Sequence, residues 1–303
     1  MAGALLPLPE VERLSTRVIR VLGGNPGKFT LQGTNTYLIG TGPTRILLDT
    51  GEGKPTWPPL LHRTLASERA TLSAAILTHR HHDHISGVPD VLSSFPSLPI
   101  YKHRPADVAS WPGGPNPLDG LQAELHDIAE GQVFAVEGAT LRAVRTPGHT
   151  ADHVAFVLAE EEDAVFSGDA VLGHGTAVFE DLAAYMACLE KLERECGEKG
   201  RLYPGHGAVV EEGRARVREY IEHRRQRERQ VLNVLETGKE GEGEVEGWGS
   251  MEIVKVIYKD YPENLHEPAQ RGVLQILDKL IKEGKVAHHE ATDTFSLITK
   301  AAL

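Results

Sequence analysis

The sequence predicts an α/β fold with a small winged-helix-like C-terminal domain. Three observations predict it. Short β-rich runs separated by turn residues fill the first half, and two stretches of helical periodicity follow. A glycine/glutamate tract around residues 237–247 then sets off a last segment that reads helix, helix, hairpin. The 303 residues, 40% hydrophobic and 25% charged, are ordinary for a globular chain and enough for one large domain and one small one. We place these at residues 1–230 and 231–303.

Taken in order, Thr36–Gly40, Arg45–Asp49 and Ala74–Thr78 are short apolar or β-rich runs bounded by Gly, Pro or charge. Pro112 to Pro117 is a loop by composition. Further strands are expected at Val133–Val136, Thr140–Arg145, His153–Leu158 and Ala164–Ser167. Leu182, Tyr185, Met186, Leu189 and Leu192 recur at spacings of three and four, which predicts a helix over Leu182–Glu195. An arginine-rich helix is expected from Glu212 to Leu235. The Gly/Glu tract after it cannot bury a core and reads as a linker. Beyond it, Met251–Tyr258 and Val273–Glu283 read as amphipathic helices and Lys285–Leu297 as a hairpin.

Composition removes several classes of function. No apolar run approaches the roughly 18 residues of a membrane span, so no membrane partner is expected. Two cysteines exclude a disulfide scaffold and any CxxC zinc ribbon, and Cys188 and Cys196 read as packing residues of a helix. The start, MAGALLPLPEVERLS, has no basic n-region or cleavage site and carries acids too early for a transit peptide. An intracellular, cytoplasmic setting is expected, with the mitochondrion as the alternative. The net charge of −11 is the wrong sign for a protein whose main task is to hold a polyanion.

Histidine is the unusual entry in the composition, at 15 residues. Directly after the apolar run Ala74–Leu77 comes Thr78-His79-Arg80-His81-His82-Asp83-His84, a His-x-His-x-Asp-His pattern. Imidazole and carboxylate are ligands that a borderline cation such as Zn²⁺ prefers. Alternate residues leaving a strand project to one side, so His79 and His81 can grip one ion while the turn offers Asp83 and His84 to a second. Three more islands follow strands: Thr146-Pro-Gly-His149, Phe166-Ser-Gly-Asp169 and Tyr203-Pro-Gly-His206. Together the four islands supply five histidines and two aspartates, enough for two ions with positions left for water.

In order and type these islands resemble the metallo-β-lactamase superfamily, over roughly residues 10–225. The resemblance implies an αββα sandwich with the site along one edge. It assigns His79, His81 and His149 to a first zinc, Asp83, His84 and His206 to a second, and Asp169 to a bridge between them. Mn²⁺ or Fe²⁺ are alternative occupants. Asp169 stands where class B1 and B2 β-lactamases carry cysteine, which disfavours antibiotic hydrolysis. His81 stands where flavo-diiron proteins carry glutamate. Two cations would lower the pKa of a shared water and give a metal-bridging hydroxide at neutral pH, with Asp83 as proton acceptor as well as ligand. No Gly-x-Ser-x-Gly elbow is present to suggest a serine nucleophile. Asp49 is a candidate to orient a metal-binding histidine from behind. His153, His174 and the run Gln32-Gly-Thr-Asn-Thr are candidates for the cleft or its support.

Val18-Ile-Arg-Val-Leu-Gly, Thr30-Leu-Gln-Gly-Thr-Asn-Thr-Tyr and Asn264-Leu-His-Glu further resemble the lactamase-β-2-like subfamily. Its fungal members include polyketide-releasing thioesterases of the atrochrysone carboxyl-ACP type, and its animal members include mitochondrial endoribonucleases that cut single-stranded RNA. The metal pattern cannot choose between them. Charge favours the thioesterase. Residues 231–303 hold 8 Lys+Arg against 13 Asp+Glu, whereas a nucleic-acid-binding winged helix should be basic. The seven arginines and three glutamates of Arg214–Arg229 read as a solvated, salt-bridged face or as an anion-docking surface, and no aromatic residues interleave for base stacking. The expected substrate is therefore an acyl thioester on an acyl carrier protein or polyketide synthase, with RNA as the alternative and a non-catalytic interaction protein as a third.

Overall fold

The computed structural model describes residues 5–105, 118, 124–161, 163–237 and 247–298. The Pro112–Pro117 loop and most of the Gly/Glu tract lie outside them. The chain forms two compact units, residues 1–180 with 184–220, and residues 181–183 with 221–303.

The first unit is built on two sheets. β1 (Val11–Arg13), β2 (Val18–Leu22), β3 (Asn35–Ile39), β4 (Thr44–Leu48), β5 (Thr71–Leu77), β6 (Ile100–Lys102) and β7 (Leu125–His126) lie side by side in chain order. The first four run antiparallel in succession, and β4 to β7 are parallel. Between them come α1 (Trp57–Ser67), α2 (His82–Ile85) and α3 (Val88–Ser94). The second sheet holds β8 (Val133–Val136), β9 (Ala139–Arg145), β10 (Val154–Leu158), β11 (Ala164–Gly168) and β12 (Leu202–Pro204), in the order β12-β11-β10-β9-β8. α4 (Leu182–Glu195) follows β11, and α5 (Gly213–Glu236) follows β12.

Side-chain alternation along the strands makes the layers. Val18, Tyr37, Ile46 and Leu48 of the first sheet meet Leu141, Val154, Phe156 and Phe166 of the second. Their neighbours Ile19, Val21, Leu38 and Leu47 turn to the outer face, where Trp57, Leu61 and Leu65 of α1 and Val88 and Val91 of α3 cover them. On the second sheet Val144, Ala155, Val157 and Val165 are buried on the alternate face, as are Tyr185, Leu189 and Leu192 of α4. This is the expected αββα sandwich. Burying each large apolar side chain contributes about 1.5–3 kcal/mol. Phe166 packs edge-on to Tyr37, with centroids 5.1 Å apart, and stacks on Tyr203 at 4.8 Å. The Tyr37 hydroxyl donates to the Pro204 carbonyl at 2.6 Å, tying this core to the strand that ends at His206.

The second unit contains α6 (Ser250–Ile257), α7 (His266–Lys282) and the antiparallel hairpin β13 (Val286–His289) and β14 (Thr294–Leu297). Ile253, Val254, Val273, Ile276, Leu277, Leu280, Val286 and Phe295 are buried in it. Helices followed by a two-stranded wing are the winged-helix arrangement the sequence predicts. α7 begins at His266, seven residues before the expected Val273. Pro268 does not interrupt this start, because a proline in the first helical turn forfeits no intrahelical hydrogen bond.

The arginines of α5 are mostly partnered. Arg216 pairs with Glu219 at 2.9 Å, Arg218 with Glu193 at 2.7 Å and Arg229 with Glu222. Arg214 Nε donates to the Glu193 carbonyl, and Arg227 lies over the Tyr258 ring at 4.9 Å. That is the pattern of a solvated, salt-bridged helix.

Candidate metal centre

Strands β5, β9, β11 and β12 each hand the chain to a turn carrying one of the four polar islands, and β4 hands it to Asp49, so five strand ends converge on one edge of the sandwich. His79 and His84 are fully buried, and His149, His206 and Asp169 nearly so. All seven side chains singled out in the sequence are brought together, in two groups. His79, His81, His149 and Asp169 form one, and Asp83, His84 and His206 the other, with the potential ligand atoms of each group within 4.8 Å of one another.

In the first group His79 Nε2 lies 2.9 Å from His81 Nδ1 and 3.3 Å from His149 Nε2, and His149 Nε2 lies 3.0 Å from His81 Nδ1. Tetrahedral ligation at about 2.0–2.1 Å puts nitrogens about 3.3 Å apart, close to these separations. In the second group His206 Nε2 is 3.0 Å from Asp83 Oδ2 and 3.3 Å from His84 Nε2. Asp169 faces both groups. Its Oδ2 is 3.6 Å from His149 Nε2 and 3.3 Å from His206 Nε2, and its Oδ1 is 3.4 Å from His84 Nε2. That Oδ1 is buried without a hydrogen-bond partner. Converging imidazoles, two carboxylates and an orphaned carboxylate oxygen suit a pair of divalent cations.

The backbone aims these groups by specific local devices. The register of β11 against β12 slips between Phe166 and Gly168, and Gly168 takes φ +48. This bulge turns Asp169 into the site. A Cβ on Gly168 would meet His153 Nε2 at 2.6 Å, so glycine is required there for space as well. His153, left open by the sequence, is fully buried and accepts the Asp169 backbone N–H at Nε2, 3.1 Å away. Its proton therefore sits on Nδ1 and goes to Thr146 Oγ1 at 2.7 Å. One ring thus ties the His149 turn to the Asp169 turn.

Asp49 behaves as a support for His84. Its Oδ2 accepts from His84 Nδ1 at 2.7 Å, and its Oδ1 accepts from the Thr78 backbone N–H at 2.8 Å. It holds φ +58, a conformation costly for a non-glycine residue. Thr78, the residue before the first histidine, donates its hydroxyl to Asp49 at 2.9 Å and sits 2.9 Å from His79 Nδ1. Asn35 Nδ2 donates to the Pro204 and Gly207 carbonyls and fixes the His206 turn, while Thr34 Oγ1 reaches Asp83 Oδ2 at 3.5 Å. Gln32 instead donates to the Leu6 carbonyl. Asp49→Asn should weaken metal binding about 10–100-fold while His84 and its neighbours stay in place. A competitive chelator titration reads this directly, and unchanged affinity would mean that Asp49 only caps a strand.

The electrostatics divide the cluster. Burial drives His79 well below its ordinary pKa and His81 down to about 4, so both are neutral near pH 7. Burial works against the charged forms of His84 and His206 too, but the carboxylates of Asp169 and its neighbours outweigh it, holding His84 well above its usual value and His206 at about 9. Asp83 is pushed up by burial and pulled down further by His84 and the His206 hydrogen bond, to about 2. In the metal-free chain the second group is therefore protonated on histidine and ionised on aspartate.

The sign of the pH dependence follows. Below about pH 6.5 the unfolded chain takes up protons that buried His79 and His81 refuse, so stability falls as pH drops toward 4. The His84 and His206 contribution is complete below about pH 6.5 and is lost as pH rises through about 9. The melting temperature of the metal-free protein should peak near pH 6.5, and metal should flatten the alkaline limb by replacing those protons. A metal-free melting temperature constant from pH 6.5 to 9 would contradict this.

Paired His/Asp groups sharing a carboxylate, set at the strand ends of a two-sheet sandwich, define a metal-dependent hydrolase. The chain belongs to the metallo-β-lactamase superfamily. Residues 29–223 match the Metallo-beta-lactamase superfamily, and residues 249–294 match the Beta-lactamase associated winged helix domain. It is 44% identical over 295 residues to the Atrochrysone carboxyl ACP thioesterase dmxR1 of Cryptosporiopsis sp. (strain 8999), covering 94% of this chain and 86% of that one. It is also 44% identical over 289 residues to an Atrochrysone carboxyl ACP thioesterase of Aspergillus chevalieri, covering 93% of this chain and 87% of that one. In fold it resembles a Beta-lactamase domain protein from Burkholderia ambifaria, with a TM-score of 0.72 at 17% identity over 97% of this chain and 95% of the other.

Proposed function

We propose that the protein is a di-zinc thioesterase that hydrolyses an acyl thioester carried on an acyl carrier protein, releasing a polyketide acid. The observation that carries this reading is the 44% identity over 94% of the chain to a protein named as an atrochrysone carboxyl ACP thioesterase. His79, His81 and His149 would hold one ion, Asp83, His84 and His206 the other, and Asp169 both. Bound there, two divalent cations supply Lewis acidity toward the thioester carbonyl and lower the pKa of water. The rest falls to this chain's own groups. Asp83, ionised above about pH 2, accepts a proton from the attacking water, with the Thr34 hydroxyl beside it. His79 and His81, neutral near pH 7, are ready as ligands without losing protons.

We divide the work between a catalytic domain, residues 1–230, and an appendage, residues 231–303. The two compact units and the winged-helix match support that division. A cytoplasmic setting fits a carrier-bound substrate and two buried free cysteines. None of the helices described is long and apolar enough to cross a membrane.

Turnover of an acyl-phosphopantetheine thioester and of a labelled single-stranded RNA, each with zinc-loaded protein, tests the reading. Thioester cleavage with intact RNA is the expected result. RNA cleavage with untouched thioester would overturn it.

A further inference from the structure

The first metal group draws its side chains from both sheets. His79 and His81 leave the end of β5, whereas His149 and Asp169 leave β9 and β11. The 3.3 Å between His79 Nε2 and His149 Nε2 is therefore set by how the two sheets are held at this edge. A backbone bond and an ion pair cross there to the segment between β9 and β10, which carries His149 and His153. In the backbone bond, Val154 N–H donates to the Thr78 carbonyl at 2.9 Å, next to His79. In the ion pair, Lys102 ends β6 beside Leu77 of β5, and its ammonium donates to Asp152 Oδ2 and, at 3.1 Å, to the His103 carbonyl.

This ion pair is a costly way to fill space. Lys102 is 2% exposed and Asp152 3%, and Asp152 Oδ1 is buried without a hydrogen-bond partner. Burial holds the Lys102 ammonium below its ordinary pKa even with Asp152 against it. Two desolvated charges commonly stabilise a fold no more than apolar side chains of similar volume would. What the pair supplies is direction. Apolar contacts tolerate sliding, whereas a charge-assisted hydrogen bond fixes one geometry. Asp152 lies three residues after His149 and adjoins His153, whose Nε2 accepts the Asp169 N–H. A shift of this segment would carry the His149 ring and the Asp169 support with it.

We propose that Lys102 is a positioning residue of the metal centre: through Asp152 it fixes the segment between β9 and β10, across the two sheets, at the separation that lets His79 and His149 share one ion. This rests on the metal site of the thioesterase reading and on no particular substrate. The pair is kept for alignment of the ligands and not for the stability of the fold.

The apolar double variant Lys102→Met/Asp152→Leu tests this beside Arg45→Met/Glu68→Leu, which removes an ion pair at the end of β4 away from the site. The readings are the melting temperature of the metal-free protein, zinc affinity by chelator competition, and the visible absorption of Co²⁺-loaded protein, whose bands report ligand number and geometry. Lys102→Met/Asp152→Leu should melt close to the wild type, bind zinc about 10–100-fold more weakly and give altered Co²⁺ bands. The control should keep wild-type affinity and bands. Wild-type affinity and bands in Lys102→Met/Asp152→Leu, or equal changes in both double variants, would overturn the proposal. Should the apolar pair melt far below the wild type, Asp152→Asn decides, because it keeps the side chain's shape and removes its charge. Weaker zinc binding with altered bands in that variant supports the proposal, and unchanged values overturn it. Wild-type protein that takes up two Co²⁺ ions yet leaves an acyl-phosphopantetheine thioester intact fails the thioesterase reading alone.

Discussion

Asp169→Ala is expected to abolish hydrolysis, by about 10³-fold or more, and to cut the zinc retained by zinc-loaded protein from the proposed two ions to one. Asp169 is the group that faces both halves of the cluster, with one oxygen toward His149 and His206 and the other toward His84. Its carboxyl is held well below the ordinary range because His206 and His84 outweigh the upward push of burial, so it is fully ionised at neutral pH. Removing it leaves His84 with a partner in Asp49 but takes away the anion between the two groups. Elemental analysis of the dialysed variant beside its turnover reads both effects. Two retained zinc ions with full activity would show that the bridge lies elsewhere.

Gly205→Ala should do comparable damage without replacing any proposed ligand. The residue has no need of positive φ, yet a methyl there would overlap Asp169 Oδ1 and come within 2.9 Å of His84 Cε1 and 3.1 Å of the Gly168 carbonyl carbon. Backbone lies on one side and the cluster on the other, so the side chains of the cluster must move. Displacement by about 1 Å is enough for a loss of about 10²-fold, and overpacking should cost about 1–3 kcal/mol of stability. Gly272→Ala is the matched control, since a Cβ there meets nothing within 4 Å and lies in α7, where alanine is favoured over glycine. Zinc content and turnover should collapse in the first variant and hold in the second. Full zinc content in Gly205→Ala would show that the cluster yields more easily than its packing indicates.

Where the sequence was legible, it was so for a physical reason. Each island of the site follows a run apolar enough to be a buried strand, and strand ends are where sheets of this kind place ligands. The expected strand at Val133–Val136 and helix at Leu182–Glu195 agree with the structure residue for residue, because both have clean periodicity and clear breakers. Two elements were harder to read. α1 opens on Trp57-Pro-Pro, whose prolines mask the helical spacing of Trp57, Leu60, Leu61 and Leu65, and β6 has only three residues. Much of the support around the site depends on tertiary contact. The left-handed backbone at Asp49, the bulge at Gly168, the His153 tautomer and the Thr78 hydroxyl between Asp49 and His79 have no signature in spacing or composition.

The central claim is that two cations held by these seven side chains make the chain a thioesterase. Titrating zinc into metal-free protein while following acyl-phosphopantetheine hydrolysis tests it most directly. The account predicts no turnover at the start, a rise with added zinc and a plateau at two equivalents per chain. Hydrolysis by the metal-free protein, or a fully loaded protein inert toward the thioester, would contradict it.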